Sequence, residues 1–234
     1  MRIRQVAPGA VIYLLDGFVP GSAEALIEFD LRPVLGSPAE VAEWAAADRR
    51  DHPTSCAIHV DTGMNRLGLT MAEARALAAA RGTLAALSPA LLISHLACAD
   101  TPAHPLNRRQ LEAFRAVRDL FPGVPASLAN SAGIFLGPEY HFDLARPGIA
   151  LYGAVFAEGH APLATVATLE ARILRIRDVP AGESVGYGAG QTLDHPARIA
   201  ILGVGYADGY LRTASSSNAR PGARVHVGVG LVLE

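Results

Sequence analysis

From residue 11 to about 153, short apolar and β-branched runs alternate with longer segments of helical character, and this alternation limits the fold more than any other feature of the chain. A strand, a helix and a second strand return the chain in one direction, so repeated units of this kind build a parallel sheet with helices packed outside it. The strand candidates are Val11–Leu15, Arg32–Leu35, Ala57–Val60, Leu91–Ser94, Ala126–Ala129 and Phe142–Ala145. Between them, Ser22 before AEALIEF, Ser37-Pro38 before AEVAEWAAA, Thr70 before MAEARALAAA and Asn107 before RRQLEAFRAVRDLF carry N-cap or first-turn chemistry. Six βα units are counted this way.

After about Phe156 the pattern changes to TLEARILRIRDV, ESVGYGAGQTL, RIAILGVGYADGY and ARVHVGVGLVL, runs rich in Val, Ile and Arg separated by glycine turns. Polar and apolar residues alternate in ARILRIRDV and ARVHVGV, as expected of strands with one wet face. This predicts a second, all-β domain joined through VFAEGHAPLA.

Composition excludes several functions. A net charge of −2 over 234 residues argues against nucleic acid as the main partner. No apolar run reaches the ~18 residues of a spanning helix. Gln5, Pro8 and Asp16 interrupt the N-terminal stretch where a secretory signal would stay apolar, so a soluble cytoplasmic protein is expected, with no membrane partner. Cys56 and Cys98 lack CxxC spacing and fall within or just after buried strands, which fits reduced core thiols rather than zinc ligands. All 20 basic residues are arginine, and high-GC coding bias accounts for most of that. It removes any chemistry that needs an amine side chain.

Loops at the C-terminal ends of parallel strands converge on one face in a (β/α) barrel, and ligands bind there. Here those ends carry DTGMNR (61–66), SHLACAD (94–100), ANSAG (129–133) and ARPGIALYG (145–153). Ser131 and first-turn N–H groups could receive an anion, and Gly148 lets a backbone N–H approach a ligand with no Cβ in the way. The alternative is an ordinary N-cap and an ordinary turn glycine. Arg66 and Arg146 leave strand ends with permanently charged donor forks suited to a carboxylate, a phenolate or a ring nitrogen. Pairing with Asp61 or Asp143 for structure is the common alternative. His95 could be a satisfied core histidine, and His59 with Asp61 supplies too few ligands for a metal site. GVGYADG and GYGAG lack GxGxxG spacing and a βαβ context, which rejects a nicotinamide dinucleotide. Tyr206, beside Asp208 on a tight loop, either projects into another surface or anchors a hairpin.

Taken in order, HVDTGMNRLGL, SHLACAD, LANSAG, RPGIALYG, VGYGAG and GVGYADGYLR resemble the alanine racemases, pyridoxal-phosphate (PLP) enzymes of fold type III, across nearly the whole chain. The resemblance implies a partial (β/α)8 TIM-type barrel over residues 1–156 and a partial all-β domain over residues 157–234. It implies racemisation of L- and D-alanine for peptidoglycan, in a homodimer. Ser131, Gly148 and Ile149, with Asn130 beside them, would hold the phosphate. Arg146 would donate to the pyridine nitrogen, and an arginine there, slow to release its proton, favours racemisation over transamination. His95 would lie near the ring in hydrogen-bonded reach of the catalytic tyrosine. Arg66 would hold the substrate carboxylate and the phenolate side of the cofactor. Tyr206 would be one of two bases, reaching the partner subunit's site, and its neighbours must favour the phenolate because an unperturbed phenol titrates near ~10.

The second base in the family is the lysine that bonds PLP, in a segment resembling VKANAYG. This sequence has no lysine and starts at what resembles the third barrel strand; it stops short of the family's Ser-Met-Asp segment and of a later phosphate-binding tyrosine. The expectation is a fragment inactive by itself. His59 stands where some members carry a modified lysine that orients the arginine. The residues leave open a serine or broad-specificity racemase, and a truncated subunit that binds without turnover.

Overall fold

The computed structural model describes residues 2–17, 19–47, 54–154, 159–161 and 163–211. The chain divides into two compact units, Met1–Ala167 and Thr168–Glu234.

The first unit is a curled half-barrel. Strands β1 (Ile12–Leu14), β2 (Leu31–Leu35), β3 (Cys56–His59), β4 (Pro89–Ile93) and β5 (Ala126–Ser127) pair in sequence order, each parallel to the next. The helices between them are α2 (Ala23–Glu28), α3 (Pro38–Ala46), α4 (Met71–Ala79), α5 (Arg81–Leu87) and α6 (Pro105–Leu120), preceded by a short α1 (Arg2–Val6). All four residues of β3 are buried, which suits a central parallel strand covered on both faces. Trp44, Ile58, Leu92, Leu111, Phe114 and Phe121 are fully buried between sheet and helices. Each such side chain contributes roughly 1.5–3 kcal/mol by leaving water.

Helix starts follow local chemistry. Ser37 accepts from Glu40 N at 3.3 Å with Pro38 opening the helix, and Thr70 forms a capping box with Glu73. Two expected caps fall elsewhere. The Ser22 hydroxyl donates to the Val19 carbonyl instead of capping α2. Helix α6 begins at Pro105 behind His104, because proline supplies the first helical φ, so Asn107 lies buried inside the helix and donates to the Thr101 carbonyl.

The segment expected as a sixth strand, Phe142–Ala145, forms none. Phe142 sits at φ +52°, which breaks an extended run. The following residues nevertheless cover the outer edge of β5: Asp143 N and Leu144 N donate to the Ala126 carbonyl, and Arg146 N donates to the Ala129 carbonyl at 2.9 Å. ANSAG leads into a short 3₁₀ turn, Ala132–Leu136, rather than an α-helix.

In the second unit, β6 (Ile173–Val179) pairs antiparallel with β9 (Ala197–Leu202), and β7 (Ser184–Val185) with β8 (Gln191–Thr192). Among the described residues β6 buries neither face, since Ile173, Leu174 and Ile176 are all exposed. The expected strand in ARVHVGV and half of the interdomain stretch 155–164 lie outside the described residues.

Candidate active site

The four predicted loops meet at the C-terminal ends of β3, β4 and β5. Asp61, just past β3, spends its carboxylate on its own loop: Oδ1 accepts from Gly63 N (2.9 Å) and Met64 N (2.8 Å), and Oδ2 from Asn65 N (2.9 Å). Three backbone donors therefore shape DTGMNR around one side chain. Gly68 closes this loop at φ +112°, and a Cβ there would stand 2.7 Å from Asp61 N, so no other residue fits. Arg66 is exposed and makes no hydrogen bond or ion pair among the described residues. It is a cation held out by a loop that does not neutralise it.

Arg146 is the opposite case. Its Nη1 donates to the Ser127 carbonyl (2.8 Å) and hydroxyl (2.6 Å), and its Nη2 to the Ser94 carbonyl (2.6 Å) and, longer, that of Leu128 (3.4 Å). Asp143 does not pair with it, being committed to Ala126 N at 2.8 Å. The guanidinium is thus fixed across two strand ends by neutral oxygens, and burial lowers its pKa to about 10, still protonated at neutral pH. Its Nε is left without a partner among the described residues.

Two histidines face these cations. His59, the last residue of β3, is 8% exposed, and burial together with Arg146, His95 and Arg66 lowers its pKa to about 4 against a smaller opposing pull from Asp61. His95 is lowered to about 4 by burial, then by Arg146 and Arg66. Both are neutral at physiological pH. Asn130 Nδ2 lies 3.4 Å from His95 Nε2 and donates to the Leu96 carbonyl at 3.2 Å, while its Oδ1 accepts from Gly133 N at 2.9 Å. An amide donor at Nε2 leaves the ring proton on Nδ1.

Capping of the 3₁₀ turn thus falls to Asn130, and the Ser131 hydroxyl makes no cap bond. Instead its oxygen accepts from Gly148 N at 2.8 Å and from Ala150 N at 3.3 Å. Two backbone donors from one loop and one hydroxyl from another converge on a single point. Gly148 has an ordinary φ of −116°, so its value lies in space: a Cβ would meet only Ser131 Oγ, at 3.9 Å, and would fill the volume over that hydroxyl. Ile149 is 47% exposed between the two donors. Tyr206 belongs to the second unit, on a 3₁₀ turn shaped by Asp208 accepting from Gly205 N (2.9 Å), and is 64% exposed.

Two participants escaped the sequence reading. The Ala150 N–H carries no side-chain signal. Gln110 does: with Phe114 and Val117 it falls at i, i+4 and i+7 of α6, a polar residue on the buried stripe of an amphipathic helix.

Residues 1–155 match the model of the alanine racemase N-terminal domain and residues 166–230 that of the C-terminal domain. The chain is 51% identical to the alanine racemase of Rhizobium meliloti over 216 residues, covering 91% of this chain and 56% of that protein. It is 50% identical to the biosynthetic alanine racemase of Agrobacterium fabrum over 218 residues, covering 92% of this chain and 55% of the relative. Among solved structures, the biosynthetic alanine racemase of Pseudomonas aeruginosa superposes with a TM-score of 0.81 at 38% identity, covering 91% of this chain and 60% of its own. The Bartonella henselae alanine racemase with covalently bound pyridoxal phosphate gives 0.79 at 35%, with coverage of 91% and 60%. The chain spans little more than half the length of these relatives. The two matched domain models, the identity to these relatives and the superposed fold show that the chain belongs to the alanine racemase family.

Proposed function

We propose that this chain supplies the cofactor- and substrate-facing surface of a cytoplasmic, homodimeric, PLP-dependent racemase that interconverts L- and D-alanine and feeds D-alanine to peptidoglycan. The observation that carries the reading is Arg146, a buried guanidinium whose terminal nitrogens are held by neutral oxygens and whose Nε has no partner among the described residues.

The residues fit a pyridoxal phosphate. The Ser131 hydroxyl oxygen holds Gly148 N and Ala150 N pointed at one place; a phosphate bound there would take over these two amide donors and receive the hydroxyl proton, and the missing Cβ of Gly148 leaves room for it. Arg146 Nε would face the ring nitrogen. Because the guanidinium keeps its proton, a ring nitrogen beside it receives a hydrogen bond but no proton. When bound, PLP supplies an electron sink for the pair left on the substrate α-carbon.

Arg66 binds the substrate carboxylate, since it is a charged fork with no hydrogen-bond or ion-pair partner among the described residues. His95, neutral with its ring proton on Nδ1, stays in hydrogen-bond register with Asn130 and does not compete as a cation. Tyr206 acts as a base on one face of the α-carbon in the partner subunit's site. The opposite face calls for a lysine amine, which these 234 residues do not contain. The chain by itself is therefore expected to bind PLP without bonding it through a side chain and without turnover.

Equilibrium dialysis of the purified chain against PLP and against inorganic phosphate tests this. Saturable binding of both, weakened at least ~10-fold by Ser131→Ala, is the expected result. Equal binding by the variant would remove the phosphate assignment, and borohydride trapping of PLP on an internal side chain would contradict the amine-free reading.

A further inference from the structure

We propose that Gln110 is the positioning residue of this site, holding the Arg66 loop and the His95 loop in one register from the side of α6. The role of those loops rests on the function proposed above; the register itself does not.

The Gln110 side chain is fully buried and uses its whole amide on the two loops. Its Oε1 accepts from Ala97 N at 2.9 Å, and its Nε2 donates to the His95 carbonyl at 2.8 Å and to Thr62 Oγ1 at 3.3 Å. Both N–H groups and the oxygen are engaged, so the amide has one workable orientation: a flip would set Oε1 against the His95 carbonyl. Thr62 Oγ1 lies 2.7 Å from Ser94 Oγ, and the Ser94 carbonyl accepts from Arg146 Nη2 at 2.6 Å. Hydrogen bonds thus tie α6 to the loop that carries Arg66 and, through Ser94, whose hydroxyl meets Thr62 and whose carbonyl meets Arg146, to the Arg146 guanidinium.

Packing reinforces it. Gly63, at φ +137°, lies against the same side chain: a Cβ there would stand 3.5 Å from Gln110 Cγ and 3.3 Å from Leu106 Cδ1. Leu111, Phe114 and Val117 are buried beside it, and Asn107 one turn earlier is the other buried polar residue of the helix. A leucine or methionine would fill the volume as well as glutamine does. What glutamine adds is three directed bonds to two loops, and a buried amide is costly unless all of them are made.

The test uses the 234-residue chain without ligand, comparing Gln110→Met with Val117→Ala, a cavity variant on the same buried face. Two quantities are read: the ring titration of His95 by histidine-labelled NMR, and amide exchange over residues 61–66 and 94–97. The charged groups that act on His95 are Arg146 and Arg66, and His59 is the neighbouring titratable ring, itself next to Asp61; neither substitution alters any of them. In Gln110→Met, water should reach His95 and raise its midpoint from about 4 towards 6.5. Exchange in both loops should quicken by ~10-fold or more, the change of an opening equilibrium by one decade. Val117→Ala should lower the melting temperature and move neither quantity. An unmoved His95 titration in Gln110→Met, or an equal movement in Val117→Ala, overturns the proposal. Should Gln110→Met fail to fold, Thr62→Val cuts one link at nearly constant volume, and unchanged exchange over 61–66 in that variant overturns it equally. PLP added to the unsubstituted chain examines the function separately: absent binding there, with His95 shifted in Gln110→Met, sinks the functional reading and supports the positioning role.

Discussion

Arg146 grips Ser127 twice, its Nη1 donating to both the carbonyl (2.8 Å) and the hydroxyl (2.6 Å) of that β5 residue. The same guanidinium reaches the Ser94 carbonyl past β4, so one side chain spans two adjacent strand ends. Arg146→Met would leave the Ser94 carbonyl unpaired in a buried place, at about 1–3 kcal/mol, while the Ser127 carbonyl keeps Ser94 N at 3.2 Å and the Ser127 hydroxyl keeps the Leu144 carbonyl. Arg146→Lys can satisfy one strand but not both, since an ammonium is a compact point of charge. Urea denaturation should rank the stabilities as parent, then lysine, then methionine; a methionine variant as stable as the parent would show that the cross-strand bonds are incidental.

Gly148 separates folding from binding. Its φ of −116° suits any residue, and an added Cβ would meet Ser131 Oγ at an ordinary 3.9 Å. Gly148→Ala should therefore melt within about 0.5 kcal/mol of the parent, while phosphate and PLP binding fall together because the methyl occupies the space over the hydroxyl. Gly68→Ala is the contrast, with φ +112° and a 2.7 Å clash against Asp61 N, and should lower stability in the same melts without any ligand present. Equal stability losses in the two variants would refute this division.

Both site histidines carry depressed pKa values of about 4, His59 and His95 alike, chiefly through burial. In the unfolded chain they titrate near 6.5, so between pH 6.5 and 4 the unfolded state binds more protons and stability drops as pH falls. The full contribution is present above 6.5. Each histidine adds a slope below about 1.4 kcal/mol per pH unit, reduced by whatever solvent reaches the ring. Urea midpoints at pH 7, 6 and 5, where most carboxylates stay ionised, should decline, and His59→Asn should flatten the decline. A pH-independent midpoint over that range would mean that the rings are solvated.

What the sequence disclosed, and what it withheld, divides along a physical line. Strand positions were legible because short apolar runs such as Cys56, Ala57, Ile58 and Val60 leave few alternatives, and Thr70 with Glu73 announces its capping box. The strand-end arginines were legible too. Their partners were not: Asp61 and Asp143 were both plausible counter-ions, and only the backbone shows the first consumed by three loop amides and the second by Ala126 N. Phe142–Ala145 has strand-like composition, but composition cannot reveal a positive φ imposed at Phe142, where its ring packs edge-on to Phe114 at 4.9 Å. The donor role of Ala150 N is a main-chain property and leaves no trace in residue type.

Tyr206 offers the sharpest trial of the catalytic reading, because the phenol can be tested apart from the amine. It is exposed on a turn that Asp208 shapes through Gly205 N, with no hairpin-anchoring hydrogen bond among the described residues. In the proposed dimer it would serve the other subunit, so a chain without lysine lacks a base only for its own site. The measurement is co-expression with a full-length alanine racemase subunit whose equivalent tyrosine has been changed to phenylalanine, followed by racemisation of alanine in deuterated water. The full-length subunit then brings PLP and the amine, this chain brings Tyr206, and one complete site per heterodimer results. Exchange of the α-hydrogen should rise above that of the mutant homodimer and disappear with Tyr206→Phe, a loss of ~10²–10⁴-fold for a general base. Serine tried in parallel separates an alanine enzyme from one of broader range. A purified heterodimer without activity above the mutant homodimer would exclude Tyr206 as the base.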